Sequence, residues 1–212
     1  MKHLNLILII LILSCCPLHP AYAFFDKDIR LLTMRDGLAD NTIPCIYKDE
    51  DGFMWFGTDD GLSRYDGKTI QNFKPADTYA SVAAIVRLSD DFLGIVSDGY
   101  LYYFNRKQET FLPIHTESDT AIGVFNVLPA DDSSFWGISG NRLILCQWEI
   151  QQGKEEEKTA VRVRIQKTFQ LLEEKGEVFS SLCYHEKAGN GIWLTTNRGN
   201  LILFHPDTPE AY

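Results

Sequence analysis

The stretch GFMWFGTDDGLSRYDG, Gly52 to Gly67, places four aromatic residues, four glycines and two Asp-Gly pairs within 16 residues. A helix interior excludes so many glycines, each costing about 1 kcal/mol there. A loop has no use for Phe53, Met54, Trp55 and Phe56 in succession. Two short strands joined by a tight turn at Asp59-Asp60-Gly61 meet both demands, because glycine takes the positive φ that hairpins need. Asp49-Glu50-Asp51-Gly52 and Asp66-Gly67 read as flanking turns of the same small sheet.

The pattern recurs. GIWLTTNRGNLILF (191–204) repeats the order Gly, apolar, Trp, apolar, small, Thr, a polar turn, then apolar residues ending in an aromatic. SFWGISGNRLILCQW (134–148) turns at Gly140-Asn141, and DFLGIVSDGYLYYFN (91–105) turns at Asp98-Gly99 without a Trp. Trp55 and Trp136 are 81 residues apart, two periods of about 40, whereas Trp136 and Trp193 are 57 apart. The excess lies in EIQQGKEEEKTAVRVRIQKTF (149–169), which lengthens one hairpin. The charges from Lys154 to Lys158 form its solvated tip, before a strand from Val161 to Ile165.

An apolar strand precedes each copy: TIPCIY (42–47), SVAAIVRL (81–88), AIGVFNVL (121–128) and VFSSLCYH (178–185). TIQNF (69–73) and TFLPI (110–114) follow two of them. Each unit is thus a four-stranded meander, except that the fourth reaches only its third strand, Leu201 to Phe204, with no convincing fourth before Tyr212. Strands apolar on both faces belong to a sheet covered on both sides. Four-stranded sheets repeating at 40 to 45 residues and stacked face to face are propeller blades. The expected fold is all-β, an incomplete β-propeller of about four antiparallel blades, near residues 37–76, 80–115, 121–169 and 177–212.

Residues 1–23 read as a signal peptide. Lys2 precedes an apolar run from Leu4 to Leu13 broken only by Asn5, and Ala21-Tyr22-Ala23 offers a cleavage site. The run is shorter than the roughly 20 residues of a membrane span, and export to the periplasm is expected. Cleavage after residue 23 leaves 189 residues with 19 basic and 29 acidic side chains, a net of −10, which argues against a nucleic-acid partner. Cys45, Cys146 and Cys183 follow the signal, an odd number without CxxC spacing, each in a strand-like run. They read as buried free thiols, and no metal ligand set accompanies them.

At about 42 residues per blade, 189 residues supply about 4.5 blades. DIRLLTM (28–34) reads as an extra strand within an N-terminal segment, residues 24–36, of the kind that completes the last blade of a closed ring. The chain is therefore expected to be the N-terminal portion of a longer propeller.

LTMRDGLADNTIPCIYKDEDGFMWFGTDDGLSRYDGKTIQNF (32–73) resembles the first blade of the two-component regulator propeller. The resemblance rests on Asp36-Gly37-Leu38 with Asn41, the turn at 49–52 and, above all, FMWFGTDDGLSRYDG. LYYFNRKQETFLPI (101–114) resembles the end of a second blade. The resemblance implies the periplasmic sensor region of a hybrid two-component histidine kinase, anchored in the inner membrane and regulating glycan utilisation. It also implies an oligosaccharide ligand and, in the full-length proteins, a homodimer. Kinase, receiver and DNA-binding regions are absent from these 212 residues, so no catalysis is expected of them.

No GxSxG, HExxH, P-loop or GxGxxG motif occurs, and His115, His185 and His205 lie in separate segments. Asp49 and Asp51 lack the later ligands of a calcium loop and read as turn residues. No metal or cofactor is expected. The turns between the second and third strands of the units lie on one face, making Asp59, Asp60, Asp98, Asn141, Asn197 and Arg198 the candidate ligand contacts. The alternatives are a secreted protein-binding propeller and a polysaccharide lyase or hydrolase. The last needs a converging acid and base, which turns ending in Gly140-Asn141 and Asn197-Arg198 do not provide.

Overall fold

The computed structural model describes residues 29–74, 80–116, 122–151, 160–185 and 191–207. Contacts divide the chain into a unit ending at Leu31 and one from Leu32 to Tyr212, and the sheets belong to the second. The first sheet is an antiparallel meander of β1 (Cys45–Lys48), β2 (Met54–Thr58), β3 (Gly61–Tyr65) and β4 (Ile70–Phe73). The second is a meander of β5 (Val82–Arg87), β6 (Phe92–Ser97), β7 (Tyr100–Asn105) and β8 (Thr110–Pro113). A two-residue strand, β9 (His115–Thr116), joins the outer edge of the third sheet, whose meander is β10 (Asn126–Asp131), β11 (Ser134–Ser139), β12 (Arg142–Gln151) and β13 (Ala160–Gln170). The fourth sheet holds β14 (Phe179–His185), β15 (Gly191–Thr196) and β16 (Leu201–Phe204).

The first strands of successive sheets touch: β1 lies against β5, β5 against β10, and β10 against β14. The meanders fan outward from this inner row, so the protein is an all-β array of four antiparallel propeller blades. Three cores fill the spaces between them. Trp55, Leu62 and Phe73 of the first sheet meet Val82, Leu93, Ile95 and Phe104 of the second. On the opposite face of the second sheet, Phe92, Val96 and Tyr103 meet Phe135, Ile144, Cys146 and Trp148 of the third. Trp136, Ile138 and Leu143 then meet Phe179, Ile192, Leu194 and Phe204 of the fourth. Every residue of β6 is buried, as a strand covered on both faces requires.

At Gly57 the first two sheets approach closely. A Cβ there would lie 2.4 Å from Cys45 Sγ, 2.6 Å from the Val82 carbonyl oxygen and 2.7 Å from Val82 Cγ1. The turn at Asp59-Asp60-Gly61 forms as expected, with Gly61 at φ +114°. Outside the first sheet, the Ala39 N–H donates to Ser63 Oγ (3.2 Å) and the Asn72 amide donates to the Gly37 carbonyl (2.8 Å). The Asp-Gly-Leu segment thereby covers the outer face of β3 and β4, with Leu38 buried.

Four expectations are corrected. No strand runs through the described part of DIRLLTM: residues 29–33 are not strand and Met34–Asp36 form a 3-10 turn. A reciprocal capping box decides this, since Thr33 Oγ1 accepts from the Arg35 N–H (3.2 Å) while Asp36 Oδ2 accepts from the Thr33 N–H (2.9 Å). The first strand of the third unit starts at Asn126 rather than near 121, because Val124 N–H bonds the Gly99 carbonyl (2.8 Å) and Gly123 bridges to Tyr100. The returning strand of the lengthened hairpin runs to Gln170 rather than Ile165 and receives β9 in parallel along its outer edge. As expected, the fourth sheet has three strands among the described residues. Cys183 is exposed and Cys45 only partly buried, leaving Cys146 as the buried thiol. The tip from Lys154 to Lys158 lies outside the described residues.

Candidate functional site

The six residues expected at a ligand face stand in the β2–β3, β6–β7, β11–β12 and β15–β16 turns. Four are committed to holding the fold. Asp59 Oδ1 accepts from Ser81 Oγ (3.0 Å), and Asp60 pairs with Lys74. Asn197 accepts from the Val178 N–H (3.1 Å) and donates to the Gly176 carbonyl (3.2 Å). Arg198 pairs with Glu174 and donates to the Lys175 carbonyl (3.0 Å). These bonds tie each turn to the segment leading into or out of a neighbouring strand. Asp98 and Asn141 differ, having no side-chain hydrogen bond among the described residues. Asp98 is exposed with φ at 49°, next to Gly99 at 79°, the pair of left-handed residues that a two-residue hairpin turn needs. Among the described residues, no hydrogen bond joins one of these four turns to another.

The opposite edge of the first two sheets does bring charged groups together. Asp49, in the β1–β2 turn, is buried, with its side chain 3% exposed. Its Oδ1 accepts from the Phe53 N–H (2.8 Å), and its Oδ2 accepts from Trp55 Nε1 (2.7 Å) and Arg106 Nη2 (2.9 Å). Arg106 follows β7, so the bond joins the first sheet to the second. The same guanidinium pairs with Asp51 and donates to the Asp90 carbonyl (2.7 Å). Arg87, at the end of β5, pairs with Asp90 (2.6 Å) and Glu50 (3.5 Å). A crevice of about 250 Å³ opens among these groups, with Tyr47, Ser89 and Leu93 completing its walls. Burial raises the Tyr47 phenol above its ordinary value, with Arg87 and Arg106 opposing and Asp49 and Glu50 adding to the rise.

Turn chemistry identified Asp49 in the sequence but not its burial. Nothing local marks Arg106 as its partner, 57 residues away. Below this network, Arg64 stacks over Phe53, Trp55 and Phe73 at 5.1 to 5.5 Å and pairs with Glu109 of the second sheet (3.1 Å). Burial pushes the Cys45 thiol up to about 11 and the Cys146 thiol up to about 12, so neither is a ready nucleophile. Among the described residues, no group of three His, Cys, Asp or Glu side chains could hold a metal ion.

The Asp49 turn, the Trp55 strand and the Gly37-Leu38 cover lie in one short segment. Residues 37–60 match the family model described as two component regulator propeller. The chain is similar in structure to the extracellular domain of what is described as a one component system from B. thetaiotaomicron, at TM-score 0.55 and 19% identity, covering 78% of this chain and 20% of that one. It is also similar to the extracellular domain of what is described as a hybrid two component system from B. thetaiotaomicron, at TM-score 0.51 and 16% identity, covering 86% and 31%. The WD40 domain of Neurospora crassa Pan2 gives TM-score 0.51 at 15% identity, covering 80% and 48%. The matched region thus spans less than a third of either extracellular domain. At these identities the likeness is one of fold. No curated protein sequence matches the chain.

Proposed function

We propose that this chain is part of the ligand-sensing propeller of a hybrid two-component sensor, exported to the periplasm, and that its ligand is an oligosaccharide whose capture regulates glycan use. One observation carries the reading: the segment matching the two-component regulator propeller supplies the first two strands of the first blade, with Asp49 and Trp55 buried in it. The likeness to extracellular domains of such systems supports it. No helix among the described residues is long and apolar enough to cross a membrane. Asp98 and Asn141 are the expected ligand contacts on the β6–β7 and β11–β12 turns, because their side chains are not spent on the fold. Asp59, Asp60, Asn197 and Arg198 act chiefly to hold their own β2–β3 and β15–β16 turns.

A panel of oligosaccharides incubated with the purified chain tests this. Saturable binding of one glycan class with no change in the glycan is the expected result. Product formation would replace the sensor with a lyase or hydrolase, and binding confined to protein partners would replace it with an interaction module.

A further inference from the structure

The crevice between the first two sheets has a charge balance that selects its occupant. Arg106 is held by Asp49 and Asp51, and Arg87 by Asp90 and Glu50. Four carboxylates share two guanidiniums, so an entering anion would meet an excess of negative charge, and an entering cation would have to compete with the arginines for carboxylates already paired. Uncharged hydroxyl groups face neither cost. The outer carboxylates keep lone pairs free, the guanidinium edges can donate, and the Tyr47 and Ser89 hydroxyls make no hydrogen bond among the described residues. Leu93 and the half-buried Tyr47 ring provide an apolar wall. At about 250 Å³ the space lies below the roughly 300 Å³ at which pockets for drug-sized ligands begin.

We propose that this crevice binds a neutral, polyhydroxylated molecule about one ring in size, with Glu50, Asp90 and Ser89 meeting its hydroxyls and Tyr47 its ring face. Such a ring could be free, as a monosaccharide or cyclitol, or could be the end of a longer oligosaccharide. The crevice lies on the edge opposite Asp98 and Asn141, so it is a site separate from the one assigned above.

Isothermal titration and saturation-transfer NMR on the purified chain test the assignment. The probes are myo-inositol, glucose, galactose, mannose and arabinose, their trisaccharides, and glucuronate and glucosamine as charged counterparts. A neutral ring is expected to bind, with the charged counterparts weaker. Glu50→Gln and Ser89→Ala, both at the crevice, should each weaken binding about tenfold. Lys68→Gln, on the exposed β3–β4 turn, should leave the Kd unchanged. Binding by trisaccharides alone, with the same sensitivity, identifies the chain end as the source. Saccharide binding indifferent to Glu50→Gln and Ser89→Ala would overturn the assignment while leaving the sensor reading intact. Failure of every neutral probe at millimolar concentration, or preference for a charged counterpart, would also overturn it.

Discussion

At the scale of single residues, Asp49 carries more than its turn. One carboxylate satisfies the Phe53 amide, the buried Trp55 indole N–H and the Arg106 guanidinium. Removing it strands the buried Trp55 indole N–H and the Phe53 amide without an acceptor while Arg106 keeps Asp51, at a combined cost of about 3 kcal/mol. Asp49→Ala should therefore lower stability by about that amount, seen as a fall in the urea midpoint. Asp51, 63% exposed and paired with the same arginine, provides the contrast. Asp51→Asn should change stability by about 1 kcal/mol or less. Equal effects from the two substitutions would show that burial of Asp49 contributes nothing. The sequence identifies both residues as turn formers because aspartate side chains bond nearby backbone N–H groups. It does not distinguish them, since burial depends on a second sheet that folds over only one.

At the scale of elements, β2 and β5 pack so closely that Gly57 has no room for a side chain. A methyl group would press on the Val82 carbonyl, which belongs to the backbone of the adjacent sheet and cannot rotate away. Overpacking of this kind typically costs about 1–3 kcal/mol. Gly57→Ala should show it as a lowered thermal midpoint, and an unchanged midpoint would mean that the two sheets part more readily than their contact implies. Most strands were legible because their apolar runs and turn residues are local features. Two elements were not. β9 exists only where the lengthened third hairpin presents an edge for His115 and Thr116 to join, and Met34–Asp36 coil because the Thr33–Asp36 bonds prevail over an extended backbone.

At the scale of the whole molecule, stacking turns four separate meanders into one structure with a core between each neighbouring pair. Cys146 lies in the core between the second and third sheets, and Cys183 lies exposed on the fourth. A thiol reagent should label Cys183 readily in the native protein and Cys146 only when those two sheets separate. Mass spectrometry of the labelled peptides across a urea series should show Cys146 modification following global unfolding. Labelling of both at the same native rate would contradict the buried interface. The amino-acid sequence by itself determined the unit of this protein: antiparallel strands, their turns and their repetition arise from residues within a few positions of one another. The tertiary structure alone decided which side chains meet across the units. Asp49 with Arg106, Arg87 with Glu50, and the crevice they surround depend on contacts between sheets distant in the chain, and no local pattern encodes a pairing whose partner is supplied by the neighbouring blade.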